Sequence, residues 1–143
     1  MPDNIKKVSW KDIQYWKPEE LFSPDILSTP FRHLISWDLV LKLEKLRAEL
    51  ASSLRCNYGD FRYRGVVSAR EHWEIRVPKF KSVKLSMHPM GMAADLDSPT
   101  LKPRDIAIAA GRVGFSFIQV YKTFCHVDVR PSFTGAPTVI FMD

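Results

Sequence analysis

The run Phe124-Cys125-His126-Val127-Asp128-Val129 constrains this chain more than any other segment. Its polar and apolar residues alternate, which is the period of a strand. Successive strand side chains point to opposite faces, so Phe124, His126 and Asp128 share one face. Cys125, Val127 and Val129 point the other way, into a core. A histidine and an aspartate side by side on an apolar strand are costly to bury without partners. A metal ion would satisfy the histidine, and a bound water or an outer-shell contact the aspartate. The segment therefore asks for a sheet with one face covered and a polar site on the other.

The cover is expected from two helices. Over residues 36–54, Leu39, Leu43, Leu46 and Leu50 follow the three-to-four spacing of a buried stripe. Ser36 is a suitable N-cap and Asp38 suits the positive helix end. Asn57 and Gly59 lie in the turn expected to end this region. A second helix has Ser98 or Thr100 as its cap, Pro103 in its first turn and Gly114 at its end, with a stripe of Ile106, Ala109, Ala110 and Val113. Strands are expected at 61–68, 115–121, 124–129 and 138–142. Helices first and clustered strands afterwards predict an α+β fold. Its sheet is small and antiparallel, its helices lie on one side, and the site sits on the sheet face. Residues 1–30, with Trp10, Tyr15, Trp16 and several prolines, read as an aromatic-rich arm with short helical turns. The arm packs on the domain, 31–143, or on a partner.

At 143 residues the chain suits one domain that builds its core without staples. The two cysteines, Cys56 and Cys125, give no disulfide framework and are expected as reduced thiols. No apolar run approaches the roughly 20 residues of a membrane helix, so no membrane span is expected. The polar start, Met1 to Ser9, predicts synthesis in the cytoplasm without a signal peptide. A net charge of +5 favours polyanionic partners such as cell-wall polymers, but the basic residues are scattered. Nucleic acid is therefore not an expected partner.

The remaining chemistry lies in Ser86-Met87-His88-Pro89-Met90-Gly91-Met92-Ala93-Ala94-Asp95. A histidine and an aspartate are separated by a Gly/Ala-rich stretch whose small side chains let both reach one ion. Imidazole nitrogen and carboxylate oxygen are ligands that zinc accepts, and a catalytic zinc site keeps one position for water. A third ligand is needed, and of the four histidines, His33, His72, His88 and His126, the last stands in the alternating strand beside Asp128 and is the candidate. Met87, Met90 and Met92 are expected to fill gaps in the core, because zinc does not favour a thioether.

The pattern Ser-x-His-x-x-Gly-x-Ala-x-Asp, carried by Ser86, His88, Gly91, Ala93 and Asp95, resembles the signature of the zinc D-Ala-D-Ala carboxypeptidase and L-alanyl-D-glutamate endolysin family of peptidoglycan peptidases. His126-Val127-Asp128 resembles that family's second zinc motif. The similarity spans roughly residues 35–130. It implies one zinc held by His88, Asp95 and His126, with a water completing the site, and hydrolysis of peptide bonds in peptidoglycan stem peptides. The family often places an acidic base three residues before the last histidine, where this chain has Thr123. Asp128 is then the candidate base, or alternatively an outer-shell orienter of His126. Arg70, in Ser68-Ala69-Arg70, is the candidate anchor for a substrate carboxylate, with Arg62 and Arg64 as rivals. Tyr121 and Lys122 are placed to serve a developing oxyanion.

Two functions follow. The first is a zinc peptidase of the cell wall, acting as a phage lytic or virion-borne enzyme or a bacterial wall enzyme. The second is a module that keeps the fold and metal without hydrolysis and docks in a larger assembly such as a phage tail, with residues 1–30 as the docking segment.

Overall fold

Trp16, Leu21, Phe22 and Ile26 are at most 4% exposed, so the aromatic-rich start of the chain is built into the core. A computed structural model describes residues 8–27, 35–51, 53–56, 65–66, 87–88 and 90–142. After a 3-10 turn at Trp10–Asp12, two helices of a single turn follow, α1 (Pro18–Leu21) and α2 (Pro24–Leu27). Neither is long enough to be stable alone. They are held by α3 (Trp37–Leu50). The Trp16 indole donates to the Leu43 carbonyl at 2.9 Å, and the Glu44 carboxylate accepts from the backbone N–H groups of Gln14 and Tyr15. Arg47 reaches both Glu20 carboxylate oxygens, at 2.9 and 3.1 Å, and the Leu54 carbonyl, while its guanidinium lies 3.9 Å over the Trp16 ring. Of the two settings open to the arm's aromatics, Trp16 and Phe22 take the first and pack on the domain.

The leucine stripe behaves as its spacing predicts. Leu39, Leu43 and Leu46 are fully buried, joined by Val40. Ser36 caps α3 by accepting the Leu39 N–H at 3.3 Å. The helix ends earlier than expected, at Ala51, which takes the left-handed conformation (φ 46°). Its N–H still closes on the Arg47 carbonyl.

The sheet consists of β1 (Arg55–Cys56), β2 (Ala93–Asp97), β3 (Phe117–Val120), β4 (Cys125–Asp128) and β5 (Thr138–Phe141), and α4 (Pro103–Val113) joins β2 to β3. Five strands stand in the order β1-β2-β4-β3-β5, making a mostly antiparallel sheet in an α+β fold. One pairing departs from expectation, because β5 runs parallel to β3. The hairpin from β3 to β4 returns the chain to the end of the sheet where β3 starts. The exposed connection to Pro137 stays at that end, so β5 must set off in the direction of β3.

Alternation divides the faces as expected. Ala94, Leu96, Ile118, Val120, Cys125 and Val127 join one core with Ile106, Ala109 and Ala110 of α4 and the α3 stripe. Asp95, Phe117, Gln119, His126 and Asp128 belong to the opposite face. The cap of α4 is Lys102 rather than Ser98 or Thr100, and it makes no side-chain cap bond. The Ser98 hydroxyl instead accepts the N–H groups of Thr100 and Leu101 in the turn before. Pro103 and Gly114 stand where predicted. Met90 is 55% exposed, which corrects its expected core role, whereas Met92 packs against the core. Both cysteines are free and buried. Among the described residues no helix is long and apolar enough to cross a membrane. Of the strand expected at 61–68, Gly65 and Val66 alone are described.

Those two residues tie the N-terminal helices to the sheet. Val66 N–H donates to the Leu21 carbonyl and Gly65 N–H to the Cys56 carbonyl, both at 2.8 Å. Gly65 has φ +91°, and a Cβ there would lie 2.6 Å from the Leu21 backbone. Gly114 also has positive φ, but its Cβ would meet only the flexible end of Lys42 at 3.4 Å. Gly65→Ala should therefore cost about 2–3 kcal/mol and Gly114→Ala about 1 kcal/mol, since only the first adds a backbone clash to the left-handed strain. Urea melts of the two variants check this; equal losses would show that the Leu21 contact yields freely.

Candidate metal centre

The site begins with a turn. Met87 O accepts the N–H groups of both Met90 and Met92, and His88 O accepts that of Gly91. Gly91 has φ +65°, a conformation that glycine adopts without strain. Its carbonyl accepts the N–H of Ser36, fixing the turn to the start of α3. The chain then enters β2, and the turn brings His88 back over Asp95. On β2 and β4, Asp95 is the register partner of His126. Two segments far apart in sequence thus deliver their side chains to one place.

The donor atoms meet. Asp95 Oδ1 lies 3.0 Å from His126 Nδ1 and 3.3 Å from His88 Nε2, and the two imidazoles stand edge to face with centroids 5.0 Å apart. One ligand atom from each of the three residues lies within 4.8 Å of the others. Tetrahedral coordination with bonds of about 2.0–2.1 Å places ligand atoms roughly 3.3 Å apart. Two of the three separations match that spacing, and the donor set of two imidazoles and one carboxylate suits a divalent ion. Asp97, on the same face of β2, is excluded from the group because Arg55 holds both its oxygens, at 3.2 and 2.7 Å.

The other nitrogen of His126 is also engaged. Its Nε2 lies 2.8 Å from Asp128 Oδ2. Asp128 is fully buried and pinned by Arg130, whose Nε meets Oδ1 at 2.8 Å and whose Nη2 meets Oδ2 at 2.6 Å. The Arg130 N–H adds a bond to Oδ1 at 3.2 Å. The guanidinium lies 3.6 Å over the Phe117 ring. Asp128 is therefore an outer partner of His126 with every oxygen occupied.

These contacts set the charges. Burial raises the Asp95 and Asp128 carboxyls, but hydrogen bonds from His126 to both, from His88 to Asp95 and from Arg130 to Asp128 outweigh it, and both titrate below the ordinary 3.8. Burial lowers the His126 imidazole, yet the carboxylates of Asp128 and Asp95 prevail and hold it above the ordinary 6.5. Burial, aided by the nearby Asp95 charge, pushes the Cys125 thiol up to about 12, so it stays protonated on the core side of β4.

The centre opens into a cleft of about 380 Å³. His126, Asp95 and Gln119 line its floor, with Phe117 and Arg130 to one side and Tyr121 and Phe124 to the other. Lys122 and Thr123 are exposed in the β3–β4 turn. The structure thus brings together His88, Asp95, His126 and Asp128. Arg70, its rivals Arg62 and Arg64, and the histidines His33 and His72 lie outside the described residues. Sequence reasoning passed over Arg130, Phe117 and Gln119. Arg130 carried a signal, since it continues the two-residue period of His126 and Asp128. Gln119 carried none, because its place depends on strand register.

No family model, curated protein or solved structure matches this chain significantly. The functional reading therefore rests on the motif and on this geometry.

Both ring nitrogens of His126 face carboxylates, which favours a proton on each, and a metal ion bound through Nδ1 would have to displace the proton there. The charged ring stabilises the metal-free fold below pH 6.5, and that contribution is lost as pH rises through the elevated folded value. The affinity for a metal ion held by His126 would have the opposite slope. Zinc titrations against a competing chelator should show Kd falling about tenfold per pH unit up to that folded value and levelling above it. An affinity independent of pH over the same range would mean that His126 is not a ligand.

Proposed function

We propose that this chain is a zinc-dependent peptidase that hydrolyses peptide bonds in the stem peptides or cross-links of peptidoglycan. The observation that carries the reading is the meeting of His88 and Asp95, from one motif, with His126 from the other, in a single donor set whose ligand atoms all lie within 4.8 Å of one another. Two imidazoles and a carboxylate suit zinc, and a site with three protein ligands keeps one position open for water. Zinc in such a site polarises a carbonyl and lowers the pKa of bound water to about 7. A net charge of +5 suits an anionic wall polymer. In this reading the protein acts at the cell wall or in the periplasm, free or carried by a virion.

The chain's own residues divide the work. His88, Asp95 and His126 hold the ion. Asp128 accepts a hydrogen bond from the Nε2–H of His126, so that the Nδ1 lone pair is presented to the metal, and Arg130 holds Asp128 in place. Of the two roles open to Asp128, this geometry favours the orienter: a base needs a free oxygen within reach of water, and both Asp128 oxygens are occupied and buried. Arg70 keeps its proposed part as anchor for a substrate carboxylate.

A second reading, a docking module that binds zinc without hydrolysis, is favoured by one observation. Thr123 occupies the position of the resembled family's base and is exposed in a turn. Mass analysis of muropeptides after digestion separates the two. The peptidase reading expects new cleavage products that vanish with chelator and with His126→Ala; intact muropeptides in the presence of zinc would leave only the docking module. For Asp128→Asn the expected result is a 10- to 100-fold loss of zinc affinity, the scale of an outer-shell partner. Unchanged zinc affinity with a collapsed kcat would instead restore Asp128 as the base.

A further inference from the structure

The cleft is larger than a metal and its water require, and one of its polar groups is only weakly engaged. Gln119 is the register partner of His126 on β3, as Asp95 is on β2, so the three side chains form one row across the open face of the sheet. Among the described residues, the hydrogen bond of the Gln119 side chain is a long one, from Nε2 to the Met142 thioether at 3.9 Å. Sulfur is a weak acceptor, and among the described residues the amide oxygen Oε1 has no partner. Asp97 and Asp128, by contrast, are saturated by Arg55 and Arg130. Beside Gln119 the rings of Tyr121 and Phe124 stack at 4.3 Å and 13°, forming a flat apolar plate at the cleft wall.

We propose that Gln119 and the Tyr121–Phe124 plate form a peptide-binding subsite next to the metal, in which the Gln119 carboxamide pairs with a backbone amide of the substrate. This deepens the peptidase reading and rests on it for the identity of the ligand. A primary carboxamide offers a donor and an acceptor side by side, matching the N–H and C=O of a peptide unit. It carries no charge, so it recognises the backbone rather than an acidic or basic side chain. The apolar plate suits a small neighbouring side chain such as the methyl of alanine. The volume of about 380 Å³ is near the lower end for small-ligand sites and accommodates one or two residues.

The test uses the full chain loaded with zinc. The first measurement needs no variant: acetyl-alanyl-alanine amides of each chirality are titrated while the side-chain NH₂ resonances of Gln119 are followed by NMR. At least one isomer should move them. The second compares wild type with the uncharged variants Gln119→Leu and Gln119→Met on purified peptidoglycan peptides. Loss of one neutral hydrogen bond made equally in ground and transition states should raise KM about three- to tenfold, with kcat within about twofold and zinc affinity unchanged. If wild type cleaves while neither the resonances nor the KM respond, the subsite is wrong and the peptidase reading stands. If wild type does not cleave but the resonances move, the peptidase reading fails and the subsite survives in a peptide-binding module. Silence in both measurements overturns both.

Discussion

A buried imidazole with a carboxylate on each nitrogen is the constraint around which this molecule is organised. His126 is 7% exposed, with Asp95 at 3.0 Å from Nδ1 and Asp128 at 2.8 Å from Nε2. Two carboxylates and a histidine under an apolar core would be expensive to desolvate unless each charge found a partner. Arg130 supplies one for Asp128, and His88 contributes to Asp95. The two ends of the imidazole are not equivalent. Asp128 is sealed and saturated, whereas Asp95 is partly exposed and shares its oxygen with a second histidine, so the cleft side is the one on which an ion can replace a proton.

The rest of the fold makes that arrangement rigid. The site residues alternate with Ala94, Leu96, Ile118, Cys125 and Val127, whose burial against α4 fixes the register of β2, β3 and β4. A slip of one residue would send His126 into the core, which is why a half-buried sheet is a secure platform for a polar site. The turn that positions His88 is tied to Ser36, the residue that caps α3. The same helix clasps the N-terminal segment through Glu44 and Arg47. Core, cap and site therefore share residues, and the aromatic start of the chain supports the helix on which the His88 turn rests.

Much of this was legible because it depends on period. The sharing of a face by His126 and Asp128, the leucine stripe of α3 and the need for a small residue at Gly91 follow from spacing and backbone sterics. The strand β2 was not legible: Ala-Ala-Asp-Leu-Asp lacks the β-branched and aromatic residues that mark strands, and only pairing with β1 and β4 makes it one. The parallel placement of β5 depends on where a loop returns, which no local pattern records. Which of its two settings Trp16 would take, and the burial of Leu21, were hidden because helices of one turn show no amphipathic period. The Arg130 clamp could have been found by extending the period of β4 by one step. Gln119 becomes visible only once β3 is laid beside β4.

The charge balance of the site bears on what it can attract. With a divalent ion bound and His126 neutral, Asp95 and Asp128 contribute two negative charges and Arg130 one positive, leaving one unit of positive charge in the cleft. Without Arg130 the same set would be neutral, and Asp128 would be a buried carboxylate answered by an imidazole alone. Arg130 thus does two things at once. It relieves the desolvation of Asp128, and it would leave a metal-loaded site cationic, a polarity that would suit the carbonyl chemistry proposed above. Because the guanidinium is held by Asp128 on one side and the Phe117 ring on another, this charge is fixed in place before any ligand arrives. In the proposed reading, a positive excess held in place by the buried Asp128, rather than carried by mobile surface lysines, would suit chemistry at a bound metal more than long-range capture of a polyanion.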